Sequence, residues 1–446
     1  MATYAIAGGG MLGMTLALRL RTAGHDVTIF ESAPRCGGLA APWRLGPVTW
    51  DRHYHVTLFS DTALRELLGE LGLGDEFNWV TTKTGFFVGG NLYSFSHILD
   101  FLRFPPLSPI EKMRLGYTIL AASRTTDWRA LERVRAVDWL ATLSGRSTVE
   151  KIWLPLLRAK LGTYAERASA AFIWAIIVRM YAARRTGAKR ELFGYVNGGY
   201  DTIVRRFEER LTQLGVRIER SCRIDSVQQR GGRLAVLRGD REEHFDNVVM
   251  TLAAPLAARL CPQLSPRERD LCSGVEYQGI VCASILSDRA ISPYYVTNIT
   301  DSWVPFTAVI EMTALVNPST FGGQSLIYLP KYAHPNDPIF ALTDEECAAS
   351  FLGALERMYP HFSREHVRAF RVSRVPYVMP VPTLNYSQRV PSLRTSIPGL
   401  YLAGSAQIIN GTLNVNETVM LANRVSRALL AEDAEADGTV SAHLAV

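Results

Sequence analysis

The sequence predicts an α/β fold: a parallel, nucleotide-binding sheet whose strands are interleaved with a second, mixed sheet and a helical insertion. Three observations predict it. Residues 3–30 read as strand, glycine turn, helix and strand; β-branched apolar runs recur between 275 and 333; and the stretch 105–181 has helical character, rich in Leu, Ala, Arg and Trp.

In the first unit, TYAIA is short and apolar, as a buried parallel strand must be, and DVTIF at 26–30 is a second such strand. Between them lie Gly8-x-Gly10-x-x-Gly13 and a Leu/Ala-rich helix closed by Gly24. Each glycine has a separate task in a dinucleotide site: a tight turn, close backbone approach to a pyrophosphate, and close helix packing. The helix N-terminus adds unpaired N–H groups and a positive dipole end. Glu31, directly after the second strand, is placed to accept hydrogen bonds from a ribose diol.

At 446 residues the chain can form two or three domains or one interleaved unit. Hydrophobic residues make up 48% and charged residues 20%, which excludes a disordered or fibrous protein. The net charge of +6 suits a cofactor, a nucleotide-linked substrate or an acidic lipid surface, and equally suits plain solubility. A nucleic-acid partner is not expected. The six cysteines, at 36, 222, 261, 272, 282 and 347, show no C-x-x-C spacing, so neither a zinc site nor a disulfide framework is indicated. The first strand follows Met1 almost at once and no apolar run reaches the roughly 18 residues of a membrane span. The expected location is cytoplasmic, with peripheral membrane contact left open.

Residues 50–57, WDRHYHVT, place His53 and His55 at i and i+2, on one side of an extended segment. They either line a cleft in a polar role or are buried and satisfied by backbone groups; no carboxylate or cysteine lies at metal-ligand spacing. A helix is predicted over 62–71, closing at Gly72 or Gly74, and GFFVGGNLYSFS reads as a hairpin turning at Gly89-Gly90. Trp128, Trp139, Trp153 and Trp174 fall in the helical region, as core packing or as the lining for a large apolar substrate. Its end, 170–190, joins an apolar helix to Arg184, Arg185, Lys189 and Arg190; this is either a core helix with a solvated basic end or a peripheral membrane anchor. Farther on, a helix over 202–214, a strand at 216–219, three buried strands between 275 and 333, and a helix over 344–358 are predicted. Tyr294, Tyr295, Asn298, Asp301 and Glu311 are the polar candidates of that later sheet.

Glu31-Ser-Ala-Pro-Arg35-Cys-Gly37-Gly38 resembles the E-x-x-x-R-x-G-G extension of the flavin amine oxidase, protoporphyrinogen oxidase and phytoene desaturase superfamily. The segments Tyr195-Val-Asn-Gly198-Gly199 and Pro398-Gly-Leu-Tyr-Leu-Ala-Gly404-Ser405 are similar to later motifs of the same superfamily, and the resemblance implies strands at 222–227 and 246–251. The resemblance implies FAD as cofactor. By it, Gly8, Gly10, Gly13, Glu31, Arg35, Gly37 and Gly38 hold the nucleotide and diphosphate, Ile224 meets the adenine, and Gly404, Ser405, Asn414, Val415 and Asn416 meet the flavin end. There the positive end of a last helix would face the reduced ring. Two positions depart from the pattern: Leu39 stands where many members carry a basic residue, and Ser405 where many carry aspartate. Residues 50–57 also resemble UDP-galactopyranose mutases, in which the residue matching His53 lies beside the flavin.

On this resemblance the fold is a Rossmann-like FAD-binding domain with an interleaved mixed-sheet substrate domain and a helical insertion. Residues 1–84, 191–274 and 382–431 form the first, 85–104 and 275–381 the second and 105–190 the third, with 432–446 a frayed tail. The expected activity is FAD-dependent removal of hydride from a C–C or C–N bond of a small-molecule substrate, large and apolar or nucleotide-linked. Two other readings stand beside it: a non-redox mutase acting on a nucleotide-linked sugar, and a non-catalytic prenyl-binding escort like the Rab GDP-dissociation inhibitors.

Overall fold

In the computed structural model, residues 1–185, 192–409 and 411–436 are described. Four distant parts of the chain meet in one five-stranded parallel sheet, in the order Arg217–Glu219, Asp26–Phe30, Thr3–Ala7, Asn247–Met250, Leu400–Leu402. The period of two in a strand sorts its side chains. Tyr4, Ile6, Val27, Ile29 and Val249 face one core, shared with the helices Met11–Thr22 and Val415–Ala436, while Ala5, Ala7, Phe30, Val248 and Met250 face the other. Both faces are covered, which is why these strands read as unbroken apolar runs.

The second sheet has seven strands, in the order Val367–Pro380, Tyr277–Ser287, Ser325–Ala333, Ala308–Glu311, Val296–Ile299, Thr84–Val88, Asn91–Ser94. It is antiparallel except where Val296–Ile299 runs parallel to Thr84–Val88. The hairpin turns at Gly89 and Gly90, whose φ of 58° and 74° are the left-handed values that a two-residue turn demands. The helix Asp344–Met358 covers one face, and its start is fixed by reciprocal bonds between Thr343 and Glu346.

Two boundaries differ from the sequence reading. Residues 222–225 form no strand, because the N–H groups of Ser221 and Cys222 are drawn to the carbonyls of Ala33 and Glu31; the strand begins at Ser226. The helical region starts at Ile98 rather than 105, in a short helix, Ile98–Arg103, ahead of Phe104-Pro105. The next helix, Pro109–Arg124, opens on a capping box between Ser108 and Glu111 with proline in its first turn. The tryptophans mostly pack: the ring N–H groups of Trp153 and Trp174 donate to Ser144 and to the Ala122 carbonyl, both at 3.0 Å, while Trp128 stacks under Arg129.

Ala170–Arg185 is helical, and its early residues Ala170, Ala171, Phe172 and Ile173 are buried. The side chains of Arg184, Arg185, Lys189 and Arg190 lie outside the described residues, as does the tail beyond 436. Met180 of this helix is exposed, but among the described residues the densest exposed apolar surface lies on two earlier helices, Ile98–Arg103 and Pro109–Arg124. Ile98, Leu99 and Leu102 project from the first, and Ile110, Met113, Tyr117 and Leu120, spaced 3, 4 and 3 apart, form one stripe on the second. No helix among the described residues is long and apolar enough to cross a membrane.

Candidate active site

The glycine turn is built as a nucleotide cradle. Gly8 has φ of 116°, and a Cβ there would meet the Thr251 hydroxyl at 2.6 Å; that hydroxyl donates to the carbonyl of Ala7, tying the turn to the neighbouring strand. Gly13 packs the helix onto the turn so closely that a Cβ would stand 2.0 Å from the Gly8 carbonyl oxygen. Gly10 is different: its backbone is extended, and a Cβ would touch only the Cα of Gly38, at 3.8 Å. The open side of the turn is at Gly10, where the first helix presents its unpaired N–H groups.

Glu31 stands at the end of the turn where a ribose is expected. One carboxylate oxygen accepts from the Gly9 N–H and the other from the Ala33 N–H, both at 2.8 Å. A carboxylate offers about four lone-pair directions, so capacity remains for a ribose diol. Ile224, buried, sits in the segment that Cys222 hydrogen-bonds to the Glu31 carbonyl, which places it beside this end. Arg35 pairs with Asp201, at the start of the helix Gly199–Gln213, and so acts at the rim of the cradle. The Gly37 N–H donates to the Gly9 carbonyl at 2.8 Å, and Gly38, with φ of 57°, lies over Gly10. These features fit FAD: an acceptor for the ribose, a helix end and bare glycines for the pyrophosphate.

At the other end, a Cβ on Gly404 would stand 2.4 Å from the Leu252 carbonyl oxygen, so the strand can leave the sheet there only as glycine. Ser405 opens the short turn Ser405–Gln407 and lines a narrow crevice with Phe172, Met379, Pro382, Ile408 and Leu413. Asn414 accepts from the Glu417 N–H at 3.0 Å and caps the last helix, with Val415 its first residue. The Asn416 side chain turns away to accept from the Leu64 N–H, which leaves its backbone for any cofactor contact.

His53 and His55 are both in the interior, but bends at residues 52 and 53 break the extended path that would have aligned them. His53 joins the two sheets' territories: its Nδ1 faces the Leu39 carbonyl and its Nε2 the Ser373 hydroxyl, each at 3.0 Å. Nδ1 therefore donates and Nε2 accepts, a neutral tautomer. Burial pushes His53 down to about 3, and the Arg52 guanidinium adds to the effect. His55 lies on the Tyr200 ring, with Nδ1 at 2.9 Å from the His53 carbonyl, and burial takes it to about 4.

The sequence reading passed over the groups around these histidines. Asp51, 2% exposed, accepts from the Tyr200 N–H at 2.7 Å, and burial pushes its carboxyl up to about 8. The Tyr328 hydroxyl donates to the Asp51 carbonyl at 2.6 Å, and the hydroxyls of Tyr54 and Tyr332 meet at 3.1 Å. The only sequence signal was a charged Asp-Arg pair in an otherwise aromatic stretch. This layer spans the gap between the residue after the glycine pair and the larger sheet, and at neutral pH its acid and both histidines are uncharged. Of the candidates on the later sheet, Asp301 caps the hairpin through the Gly90 N–H, and buried Glu311 accepts from the Ile291 N–H.

Comparison with known proteins agrees with this geometry. The family model for flavin-containing amine oxidoreductases matches residues 12–430. Coproporphyrinogen III oxidase of Mycobacterium tuberculosis is 26% identical over 296 residues, a match covering 59% of this chain and 62% of that protein, hence less than two thirds of its length. A solved structure from Exiguobacterium sp. 255-15, provisionally named a protoporphyrinogen oxidase, superposes with a TM-score of 0.76 at 21% identity over 97% of this chain and 99% of that one. Reduced UDP-galactopyranose mutase gives a TM-score of 0.74 at 13% identity, over 97% and 96%. Likeness at these identities shows the fold.

Proposed function

We propose, from the premise that this chain belongs to the flavin-containing amine oxidoreductase family, that it removes hydride from a C–C or C–N bond of a large, apolar small molecule. Membership makes it an FAD-dependent oxidoreductase, and an enzyme rather than an escort. When bound, FAD supplies the hydride acceptor.

The observation that carries the finer reading is the set of fixed side chains Asp51, His53, Tyr54 and His55, which flank the cation Arg52. Hydride removal needs a substrate carbon held in place and water kept out more than it needs a strong acid or base. The layer suits that task. His53 is fixed at both ring nitrogens, Asp51 by Tyr200, and Tyr54 by Tyr332, so each is oriented without a net charge that would penalise an apolar skeleton. The test is anaerobic bleaching of the bound flavin by amines, isoprenoids, porphyrinogens and nucleotide sugars in turn. Bleaching by one of the first three classes is the expected result; turnover of a nucleotide sugar only after dithionite reduction would establish the mutase reading in its place.

For the partner, we propose that the stripe on Ile98–Arg103 and Pro109–Arg124 rests on an anionic bilayer. Exposed Arg103 and Arg124 and the partly exposed Lys112 accompany it, so apolar side chains and cations lie together as an interfacial surface requires. Vesicles containing phosphatidylglycerol are expected to sediment the wild type, and Met113→Glu/Tyr117→Glu is expected to abolish this without changing the melting temperature. A concentration-dependent dimer that ignores vesicles would assign the face to a second copy of the chain.

A further inference from the structure

Arg52 is a cation in the wrong place for a protein without a ligand. Its Nη2 donates to the Gly38 carbonyl at 2.8 Å, while its Nε is buried and has no partner. No carboxylate among the described residues lies within 4 Å of it. Its charged surroundings are adverse: Arg371 repels it and the neighbouring histidines are neutral, with Glu31 the acid whose field reaches it. A half-buried guanidinium whose buried Nε has no partner is costly unless an anion completes it.

The geometry says which anion. Gly38, to which Arg52 is bound, crosses over Gly10, so that a Cβ on Gly38 would come within 3.0 Å of the Gly10 Cα. Gly10 is the residue that opens the first helix, where backbone N–H groups gather for a phosphate. Arg52 thus holds the backbone of the residue that lies over Gly10, from a segment that follows the strand Val48–Asp51. Position 39, from which a cation could have reached it along the chain, is leucine.

We propose that Arg52 is a ligand of the FAD pyrophosphate, supplying from a separate segment the cation that Leu39 does not. The guanidinium suits the task because its remaining N–H groups can bind two phosphate oxygens at once. The inference rests on FAD being the cofactor.

Apoprotein titrated calorimetrically with FAD, ADP and riboflavin tests it in the wild type, Arg52→Gln and Arg52→Lys. Loss of charge-assisted bonds to phosphate is expected to weaken FAD and ADP alike, by about 10- to 100-fold in the glutamine variant, and to leave riboflavin unchanged. The lysine variant keeps the charge and loses the fork, so a smaller loss is expected. The glutamine apoprotein should melt at or above the wild-type temperature, because a half-buried, unneutralised cation has gone; a purely structural arginine would give a lower melting point with binding intact. Unaltered ADP affinity in either variant overturns the proposal, and so does a loss confined to FAD and riboflavin, which would put the cation on the ring or on a substrate carboxylate beside it. A wild type that binds neither FAD nor ADP would instead refute the cofactor assignment.

Discussion

Gly10→Ala is expected to leave the folded apoprotein intact and to cost it FAD, whereas Gly13→Ala is expected to cost it the fold. The two substitutions add the same methyl group to the same turn, and their consequences diverge because of what the methyl meets. At Gly13 it would lie 2.0 Å from a backbone carbonyl oxygen, and neither the helix nor the turn can yield without opening the contact that joins them. Overpacking of that kind costs about 3 kcal/mol or more, so Gly13→Ala should be insoluble or melt far below the wild type. At Gly10 the backbone is extended, with φ of −71° and ψ of 175°, and the nearest atom is at 3.8 Å. Stability should stay within about 0.5 kcal/mol, read as a melting temperature shifted by no more than about 2 °C. The methyl would instead fill the space before the helix N-terminus, and FAD affinity measured by fluorescence quenching should fall at least about tenfold, a loss of about 1.4 kcal/mol. Wild-type FAD affinity in Gly10→Ala would remove this turn from the cofactor site.

The second large effect is on pH. The Asp51 carboxyl, pushed up to about 8 by burial, stays protonated in the native state while it ionises near 4 in the unfolded chain. The native state then binds the extra proton, and stability falls as pH rises towards 8, by up to about 1.4 kcal/mol per pH unit. Glu311, pushed up to about 7 by burial, acts in the same direction up to that pH. His53 and His55 act oppositely below about 6.5, where the unfolded histidines take up protons that the native ones refuse. Their contribution has largely gone by pH 7, so between pH 7 and 8 Asp51 gives the largest part of the decline, with smaller parts from Glu311 and from the buried thiols, whose pKa burial also raises. Asp51→Asn keeps an oxygen for the Tyr200 N–H and has no proton to lose. Denaturant melts of the FAD-saturated proteins should show the wild type weakening over that interval more steeply than the variant, which should gain about 1 kcal/mol on it between pH 7 and 8. A variant that is weaker than the wild type at pH 8 would mean that ionised Asp51 holds the layer together.

What the sequence disclosed follows the range of the interactions. The strands at 3–7 and 26–30, the helix between them and the helix at 344–358 were readable because periodicity and capping act over a few residues. Glu31 was legible for the same reason: its partners, Gly9 and Ala33, lie within the same supersecondary unit. The histidines were not. Alternation predicted a shared face, but His53 is fixed by Leu39 and by Ser373, the latter 320 residues away, and no local pattern encodes that pairing. Arg52 was hidden in the same way, since its meaning depends on Gly38 standing over Gly10. The apolar stripe at 110, 113, 117 and 120 is legible as helical spacing once the exposed face of that helix is known, and only the early turns of the helix that begins at Ala170 are interior.

The order of strands in the parallel sheet also sets a timetable for synthesis. Thr3–Ala7 acquires its first neighbour, Asp26–Phe30, within a few tens of residues, but its other neighbour is Asn247–Met250. At ordinary elongation rates roughly 10 to 40 s separate the two, and throughout that interval the nascent chain carries an open strand edge beside a finished glycine turn. Leu400–Leu402 comes later still. The sheet that carries the glycine turn is therefore complete only once residue 402 has been made, and until then it presents an unpaired edge.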